Sequence, residues 1–224
     1  MTFSLVARCA ERGQFGMVIA SSSPAVAARC CHVRAGVGVV ASQNITDPAL
    51  GPRALDVLEA GRDAASAVTA VMSEHAFRDY RQVLAVDRDG GVAIHSGAQV
   101  LGIWGEAQGI DCAAGGNLLA RAEVPDAMVA AFQNASGHLG DRLMAALQAG
   151  LLAGGEAGPV HSAGMKIADK LSWPIVDLRI DWTTDCPIAA LAQAWGVYRP
   201  QMQAYVQRAI DPTIAPSYGV PGDP

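Results

Sequence analysis

Strand-forming stretches in this sequence occur in adjacent pairs joined by short turns, and this pairing constrains the fold more than any other feature. The clearest pair is 82–87 and 92–96, which flank the dipeptide Asp89-Gly90. Asp-Gly between two β-rich segments is a strong hairpin signal. Strands joined by tight turns run antiparallel, because a parallel partner needs a long crossover. The sequence therefore predicts antiparallel sheets rather than alternating β-α units.

The chain also opens with a predicted hairpin. Residues 3–8 alternate and are rich in β-formers, residues 11–13 make a turn, and residues 15–21 form the second strand. The first residues of the chain are therefore expected at a strand end, beside a neighbouring strand. The short apolar run 36–42 indicates a buried central strand, and its glycines indicate another backbone or layer lying close against it.

Further strands and helices follow in blocks. Strands are predicted at 99–104, 110–114, 161–168 and 175–181, a tight turn at 115–117, and helices around 54–60, 64–72, 125–135, 139–151, 187–195 and 200–210. This order predicts an α+β fold in which two stacked, mainly antiparallel sheets lie between two helical layers. The expected architecture is a four-layer αββα sandwich.

One domain is predicted over residues 1–210, since no internal repeat or linker interrupts it. Hydrophobic residues make up 51 % of the chain, which is enough for a sizeable core. Residues 211–224 contain four prolines and form a Pro-rich C-terminal tail. This tail is expected to be extended and poorly ordered unless it wraps a partner subunit.

Charge and hydropathy exclude several classes of partner. The net charge is -5 and the Lys and Arg residues do not cluster, which argues against nucleic acid and against an anionic membrane surface, because both attract basic patches. The apolar runs are too short or too interrupted by glycine to span a bilayer. No signal peptide is recognised at the start, so the expected location is the cytoplasm.

The cysteines and the known ligand-binding motifs indicate neither metal nor cofactor. There are five cysteines, an odd number without a Cys-x-x-Cys pair, which favours reduced, buried thiols over a disulfide framework or a zinc site. No phosphate-binding loop or complete glycine-rich dinucleotide motif occurs in the sequence. We expect no cofactor.

Thr2 is the strongest candidate for a catalytic residue. Initiator methionine is removed efficiently when the next side chain is small, and threonine meets that condition. An N-terminal threonine then carries a nucleophilic hydroxyl together with an α-amine of pKa about 8, which serves as its base. The competing interpretation is that Thr2 is simply the second residue of an ordinary gene product.

Three other residues are candidates because they lie within or next to predicted strands. Gln43 follows the central strand, where a strand end can present side chains to a cleft. Asn117, with the two glycines before it, offers amides that can stabilise an oxyanion, although turn glycines and a left-handed asparagine explain the same pattern. His95 lies within a strand, and a lone strand histidine is more often structural than catalytic.

Several motifs together resemble the domain-of-unknown-function 1028 (DUF1028) family, which occurs in bacteria and archaea. The matching segments are 1–8, 34–38, 42–43, 51–53, the strand containing His95, 116–117 and 176–179. They run from residue 2 to about residue 181. The resemblance implies the fold of the N-terminal-nucleophile (Ntn) hydrolases and a threonine nucleophile for amide hydrolysis at Thr2. Proteasome subunits of that superfamily place an aspartate and a lysine where this chain has Ser21 to Ser23 and Arg34.

The leading hypothesis is an Ntn-type amidohydrolase that acts on a small amide or a short peptide. Thr2 is its nucleophile and base, Asn117 and nearby backbone amides form the oxyanion hole, and Arg34 or Arg53 binds a substrate carboxylate. The candidate catalytic residues are Thr2, Gln43 and Asn117, and the candidate substrate-binding residues are Ser21, Arg34, Arg53 and His95.

An alternative hypothesis is a non-catalytic protein that keeps the sandwich and binds a metabolite or peptide in the same cleft. The residues that replace the aspartate and lysine motivate it. The apolar composition and the Pro-rich tail also predict assembly, most simply as a two-fold homodimer.

Overall fold

In the computed structural model, which describes residues 2–221, the strands form two antiparallel sheets. The strands are β1 (Thr2–Cys9), β2 (Gln14–Ser21), β3 (Cys31–Arg34), β4 (Gly38–Asn44), β5 (Arg81–Asp87), β6 (Val92–Ser96), β7 (Gly105–Gly109), β8 (Cys112–Asn117), β9 (Ser162–Ala168) and β10 (Val176–Ile180). The larger sheet has the order β10-β9-β2-β1-β8-β7, and the smaller sheet has the order β3-β4-β5-β6. The predicted hairpins β1–β2, β5–β6 and β9–β10 are confirmed.

Seven α-helices occur among the described residues. They are α1 (Val26–Cys30), α2 (Leu50–Glu59), α3 (Ala64–Met72), α4 (Val124–Asn134), α5 (Leu139–Leu152), α6 (Pro187–Tyr198) and α7 (Met202–Ile210). None of the helices within residues 2–221 is long and apolar enough to cross a membrane. The α+β class expected from the sequence is confirmed.

Strict alternation along each strand gives the sheets an inner and an outer face. On β1, Leu5 packs outward against the apolar sides of α4, α5 and α6. Its neighbour Val6 packs inward against Val39 and Leu84 of the smaller sheet. Helices α2 and α3 cover the other face of the smaller sheet. The short helix α1 contributes Val26 to the core between the sheets.

Close packing explains the glycine at the start of β4. A Cβ on Gly38 would lie 2.6 Å from the Val86 carbonyl oxygen and 2.8 Å from Leu58 Cδ1, which is shorter than a van der Waals contact. The prediction that another layer lies close against this strand is therefore confirmed at Gly38.

Two local predictions were wrong. Residues 99–104 are a loop rather than a strand, and β7 begins only at Gly105. Residues 115–117 are the last residues of β8 rather than a tight turn, and the positive φ of 51° falls on Leu118. The reason lies in packing: a Cβ on Gly115 would lie 3.2 Å from Leu84 Cδ2 of the smaller sheet. Small residues here let two sheets approach each other, and composition alone does not separate this use from a turn.

The described part of the tail folds back on α7. The Arg208 guanidinium donates to the backbone oxygens of Pro216 and Ser217 and lies 3.8 Å from the ring centre of Tyr218. The remainder of the predicted tail, residues 222–224, lies outside the described residues.

Candidate functional site

The candidate site lies at the edge of the molecule where β1 starts and β2 and β8 end. Thr2 pairs with Asn117 across the sheet, and its hydroxyl donates to Ser21 Oγ at 3.3 Å. The end of β4 reaches the same edge in the smaller sheet, since Ser4 Oγ donates to Gln43 Oε1 at 2.7 Å. Four of the residues selected from the sequence, Thr2, Ser21, Gln43 and Asn117, therefore meet here. Thr2, with 4 % of its surface exposed, is nearly buried.

A chain of hydroxyl groups leads away from Thr2. Ser21 Oγ lies 2.8 Å from Ser23 Oγ, and Ser23 Oγ accepts a hydrogen bond from Arg29 Nη2 at 3.1 Å. The chain therefore ends on a permanent cation. A guanidinium in this position favours negative charge on the hydroxyl oxygens that precede it.

Side-chain amides fix the other wall of the site. Gln82 Oε1 accepts from Gln43 Nε2 at 2.8 Å and from Asn117 Nδ2 at 3.3 Å. Gln82 Nε2 in turn donates to Ser96 Oγ at 3.0 Å. Gln43, Gln82 and Asn117 are completely buried, so this network joins the two sheets and holds each amide in one orientation.

Asn117 presents an acceptor to the site. Its Oδ1 is buried and has no hydrogen-bond partner among residues 2–221, whereas its Nδ2 donates to Gln82 Oε1. Gly116 pairs with Phe3 of β1 on one side and with Gly105 of β7 on the other. Residues 115–117 therefore lie inside the sheet rather than in a turn, and the expectation that Asn117 and nearby backbone amides form an oxyanion hole stays a prediction.

Glu156 is a residue of the site that the sequence did not reveal. Both of its carboxylate oxygens accept from the backbone N–H of Ser22, at 3.0 and 3.2 Å. Its own backbone pairs with Leu119, two residues beyond Asn117. Only 5 % of Glu156 is exposed, and this burial raises the pKa of its carboxyl to about 7, against the opposing effects of the amino-terminal charge and of Ser22. A carboxyl with this pKa exchanges a proton near neutral pH.

A signal for Glu156 was present in the sequence. Glu156 is the single charged residue in the glycine- and alanine-rich segment 153–158. The pattern of that segment by itself indicates only that a helix ends there.

His161 borders the same edge. Its backbone N–H donates to the Ser21 carbonyl at 2.8 Å, and its Nδ1 donates to the Thr183 carbonyl at 2.8 Å. The ring stacks on Trp182 with a centroid distance of 4.5 Å. His161 is also one of the groups that lower the pKa of Glu156. Its orientation is fixed by packing and by the bond to Thr183.

Three predicted substrate-binding residues lie elsewhere. Arg34 forms ion pairs with two carboxylates of α2 beside the β3–β4 turn, at the opposite edge from Thr2. His95 lies opposite Val83, on the face of the smaller sheet away from Thr2, and its Nε2 donates to a backbone carbonyl at 2.9 Å. Arg53 belongs to α2, on the outer side of that sheet. The sequence did not show which face of a sheet or which end of a strand each of these side chains occupies.

Neither metal-binding clusters nor disulfides occur in the described part of the chain. No group of three His, Cys, Asp or Glu side chains within residues 2–221 is arranged to hold a metal ion. All five cysteines are free, and only Cys186 is exposed. Burial raises the pKa of the Cys112 thiol to about 11, which keeps it protonated and unreactive at neutral pH.

Comparison with known proteins places this geometry in a family. Residues 2–191 match the family of unknown function DUF1028. The crystal structure of protein SPO2555 from Silicibacter pomeroyi, described as a DUF1028 protein, is similar with a TM-score of 0.86 and 31 % sequence identity, over 92 % of this chain and 90 % of that chain. A search of the curated proteins gives no significant match. The chain therefore belongs to the DUF1028 family, as its sequence motifs indicated.

Proposed function

We propose that this protein is an N-terminal-nucleophile amidohydrolase of αββα sandwich architecture, with Thr2 as its nucleophile. One observation carries the proposal: the Thr2 hydroxyl lies at the start of a central strand and heads the hydroxyl chain that ends on Arg29. A threonine that served only to fill space at a strand end would not need such a chain.

The proposed reaction requires removal of Met1, which lies outside the described residues. The liberated α-amine of Thr2 takes the proton from Oγ1 as this oxygen attacks the carbonyl carbon of the amide. The tetrahedral intermediate collapses when the C–N bond breaks, and the leaving nitrogen receives that proton. Water then hydrolyses the resulting ester on Thr2 and regenerates the hydroxyl.

Glu156 is the group that we propose to orient the amine. Its carboxylate accepts hydrogen bonds from the backbone N–H of Ser22, and Ser22 directly follows Ser21, the last residue of the strand that neighbours Thr2. A carboxylate in this position takes the place of the aspartate that the sequence lacks after β2.

The substrate that suits this lining is a small amide or a short peptide without a buried charge. Gln43, Gln82 and Asn117 provide neutral amides, and Asn117 Oδ1 supplies an acceptor for a substrate N–H. Arg34 and His95, which lie elsewhere, are not part of this binding site.

The experiment that tests the nucleophile combines intact mass with an electrophilic probe. Protein from its own host should have the mass of the chain without Met1, and a β-lactone should add once to it, at Thr2. Thr2→Ser should keep the adduct and Thr2→Ala should lose it, because both side chains are small enough for methionine removal but only serine retains a hydroxyl. Retention of Met1, or equal labelling of the Thr2→Ala variant, would refute the proposal.

One observation favours the alternative of a non-catalytic binding protein. The loop 97–104 closes the edge above the site, since Leu101 N–H donates to Asn44 Oδ1 at 3.3 Å and its carbonyl accepts from Leu118 at 2.9 Å. A closed polar site suits retention of a ligand as well as turnover. A thermal-shift screen of small amides and peptides distinguishes the two functions: equal stabilisation of wild type and Thr2→Ala, with no turnover by either, supports binding alone.

A further inference from the structure

A cavity lies on the outer side of the smaller sheet, on the opposite face from Thr2. Its volume is about 570 Å³, which is within the range of pockets that hold small organic molecules. It is lined by Asp47, Arg53, Ala70, Val71, Glu74, His75, Ala76, Phe77 and Arg81. These residues come from the loop after β4, from α2, from the end of α3 with the segment that follows it, and from the first residue of β5.

We propose that this cavity binds a small organic anion, through a carboxylate or phosphate group held by Arg53 and Arg81. The proposal is independent of the chemistry at Thr2. It rests on the hydrogen-bonding state of each charged group in the lining.

The two guanidinium groups have donors in excess. Arg53 is solvent-exposed and forms neither an ion pair nor a side-chain hydrogen bond among residues 2–221. Arg81 donates through Nη1 to the Ile45 carbonyl, but its Nε is buried and has no acceptor within the described residues. A buried N–H without an acceptor is costly, and an anion in the cavity would satisfy it.

The acidic residues of the lining do not supply that acceptor. Asp47 accepts from His75 Nε2 at 3.2 Å and from the Ala49 N–H at 3.0 Å. These hydrogen bonds, with a smaller effect of the Arg81 charge, lower the pKa of Asp47, so its oxygens are already engaged although it does not accept a hydrogen bond from Arg81 Nε. Glu74 is solvent-exposed and pairs with neither arginine within residues 2–221. The cavity therefore lacks hydrogen-bond acceptors for the guanidinium groups of Arg53 and Arg81.

The remaining lining suggests the rest of the ligand. His75 is fixed by Asp47 on one side, while its Nδ1 accepts from the Phe77 N–H at 3.1 Å. The Phe77 ring is 60 % exposed and borders the cavity, so it offers an apolar face. An anion with a planar or apolar portion would cover that ring. Bidentate contact with carboxylate or phosphate is the geometry that arginine favours.

Isothermal titration of the full-length protein with phenyl phosphate, benzoate and inorganic phosphate, at constant ionic strength, tests the proposal. We expect saturable binding of phenyl phosphate or benzoate, and weaker binding of inorganic phosphate because it cannot contact Phe77. Arg53→Gln and Arg81→Gln should each weaken binding by about tenfold or more, as loss of a charge-assisted hydrogen bond does.

Arg62→Gln is the matched control, because it removes one positive charge from an exposed side chain of the same helical layer, whose one side-chain hydrogen bond among residues 2–221 is to Ser66. It should leave the affinity within about twofold. Arg53 is exposed, so its variant tests the site even if Arg81→Gln does not fold. Absence of saturation at about 10 mM of all three probes, or equal affinities of the Arg53→Gln and Arg62→Gln proteins, would overturn the proposal.

Discussion

At the scale of single residues, Glu156 links folding to pH. The raised pKa of its carboxyl, about 7, compared with an ordinary value of about 4.3, means that the folded protein binds this proton more tightly than the unfolded chain. The stability contributed by the protonated form is present below about pH 4.3 and is lost as the pH rises through about 7.

The isosteric change Glu156→Gln removes this titration. We expect the free energy of unfolding of the variant, relative to that of wild type, to be about 1–3 kcal/mol higher at about pH 8 than at about pH 5. Urea unfolding at the two pH values measures the difference. Glu123→Gln, at an exposed position, should show no such change. A wild-type-minus-variant difference that is the same at both pH values would contradict the assignment of the raised pKa to Glu156.

Thr2 and Glu156 show what sequence reading recovers at this scale. The candidate chemistry of Thr2 follows from its position in the chain, and its place at a strand end follows from the predicted hairpin. Glu156 comes from a loop more than 150 residues away. Nothing local in the sequence brings it to Ser22.

At the scale of elements, two helical glycines have opposite roles. A Cβ on Gly140 of α5 would lie 2.4 Å from Trp195 Cζ2 of α6, so this glycine lets the two helices approach. Gly196 of α6 is exposed and has open space around it. Its only effect on stability is the entropic cost of glycine in a helix.

Alanine at the two positions should therefore change stability in opposite directions. We expect Gly196→Ala to stabilise the protein by about 0.5–1 kcal/mol, and Gly140→Ala to destabilise it by about 1–3 kcal/mol through overpacking. Denaturant midpoints of the two variants and wild type provide the measurement, each variant serving as the control for the other. A loss of stability in Gly196→Ala would contradict the assignment of open space around this position of α6.

Prediction of elements succeeded where a local signal dominates. The Asp89-Gly90 hairpin and the helix that starts at Pro187 are both present. Prediction was wrong at Gly115–Asn117, because glycines that permit close contact between sheets have the same composition as glycines that form turns. Residues 99–104 of the loop 97–104 were predicted as a strand because their apolar side chains, such as Leu101 and Trp104, suit a buried sheet. Both of these side chains are instead partly exposed, each by about two-fifths.

At the scale of the whole molecule, the buried amide network joins the two sheets at the candidate site. Gln82 is its centre, because it accepts from Gln43 and Asn117 and donates to Ser96. Loss of its carbonyl would leave two buried N–H donors without an acceptor. Each such donor costs about 1–3 kcal/mol.

We therefore expect Gln82→Met, which conserves shape and removes the amide, to destabilise the protein by about 2–4 kcal/mol. Gln148→Met, on the exposed side of α5, should stay within about 0.5 kcal/mol of wild type. Chemical denaturation of the two variants is the measurement. If both variants matched wild type, the network would have no role in holding the sheets together.

The homodimer expected from composition stays a prediction, which light scattering at micromolar concentration can test.

The sequence by itself determined the α+β class, the hairpins, the place of Thr2 at a strand end and the family, because each of these depends on short segments whose residues are close together in the chain. Tertiary structure alone decided which side chains share a site. It brought Glu156, Gln82 and Arg29 to the edge that contains Thr2, and it placed Arg34, Arg53 and His95 elsewhere. The physical reason is that the face and neighbours of a side chain depend on sheet order and on packing between layers, which join segments far apart in sequence.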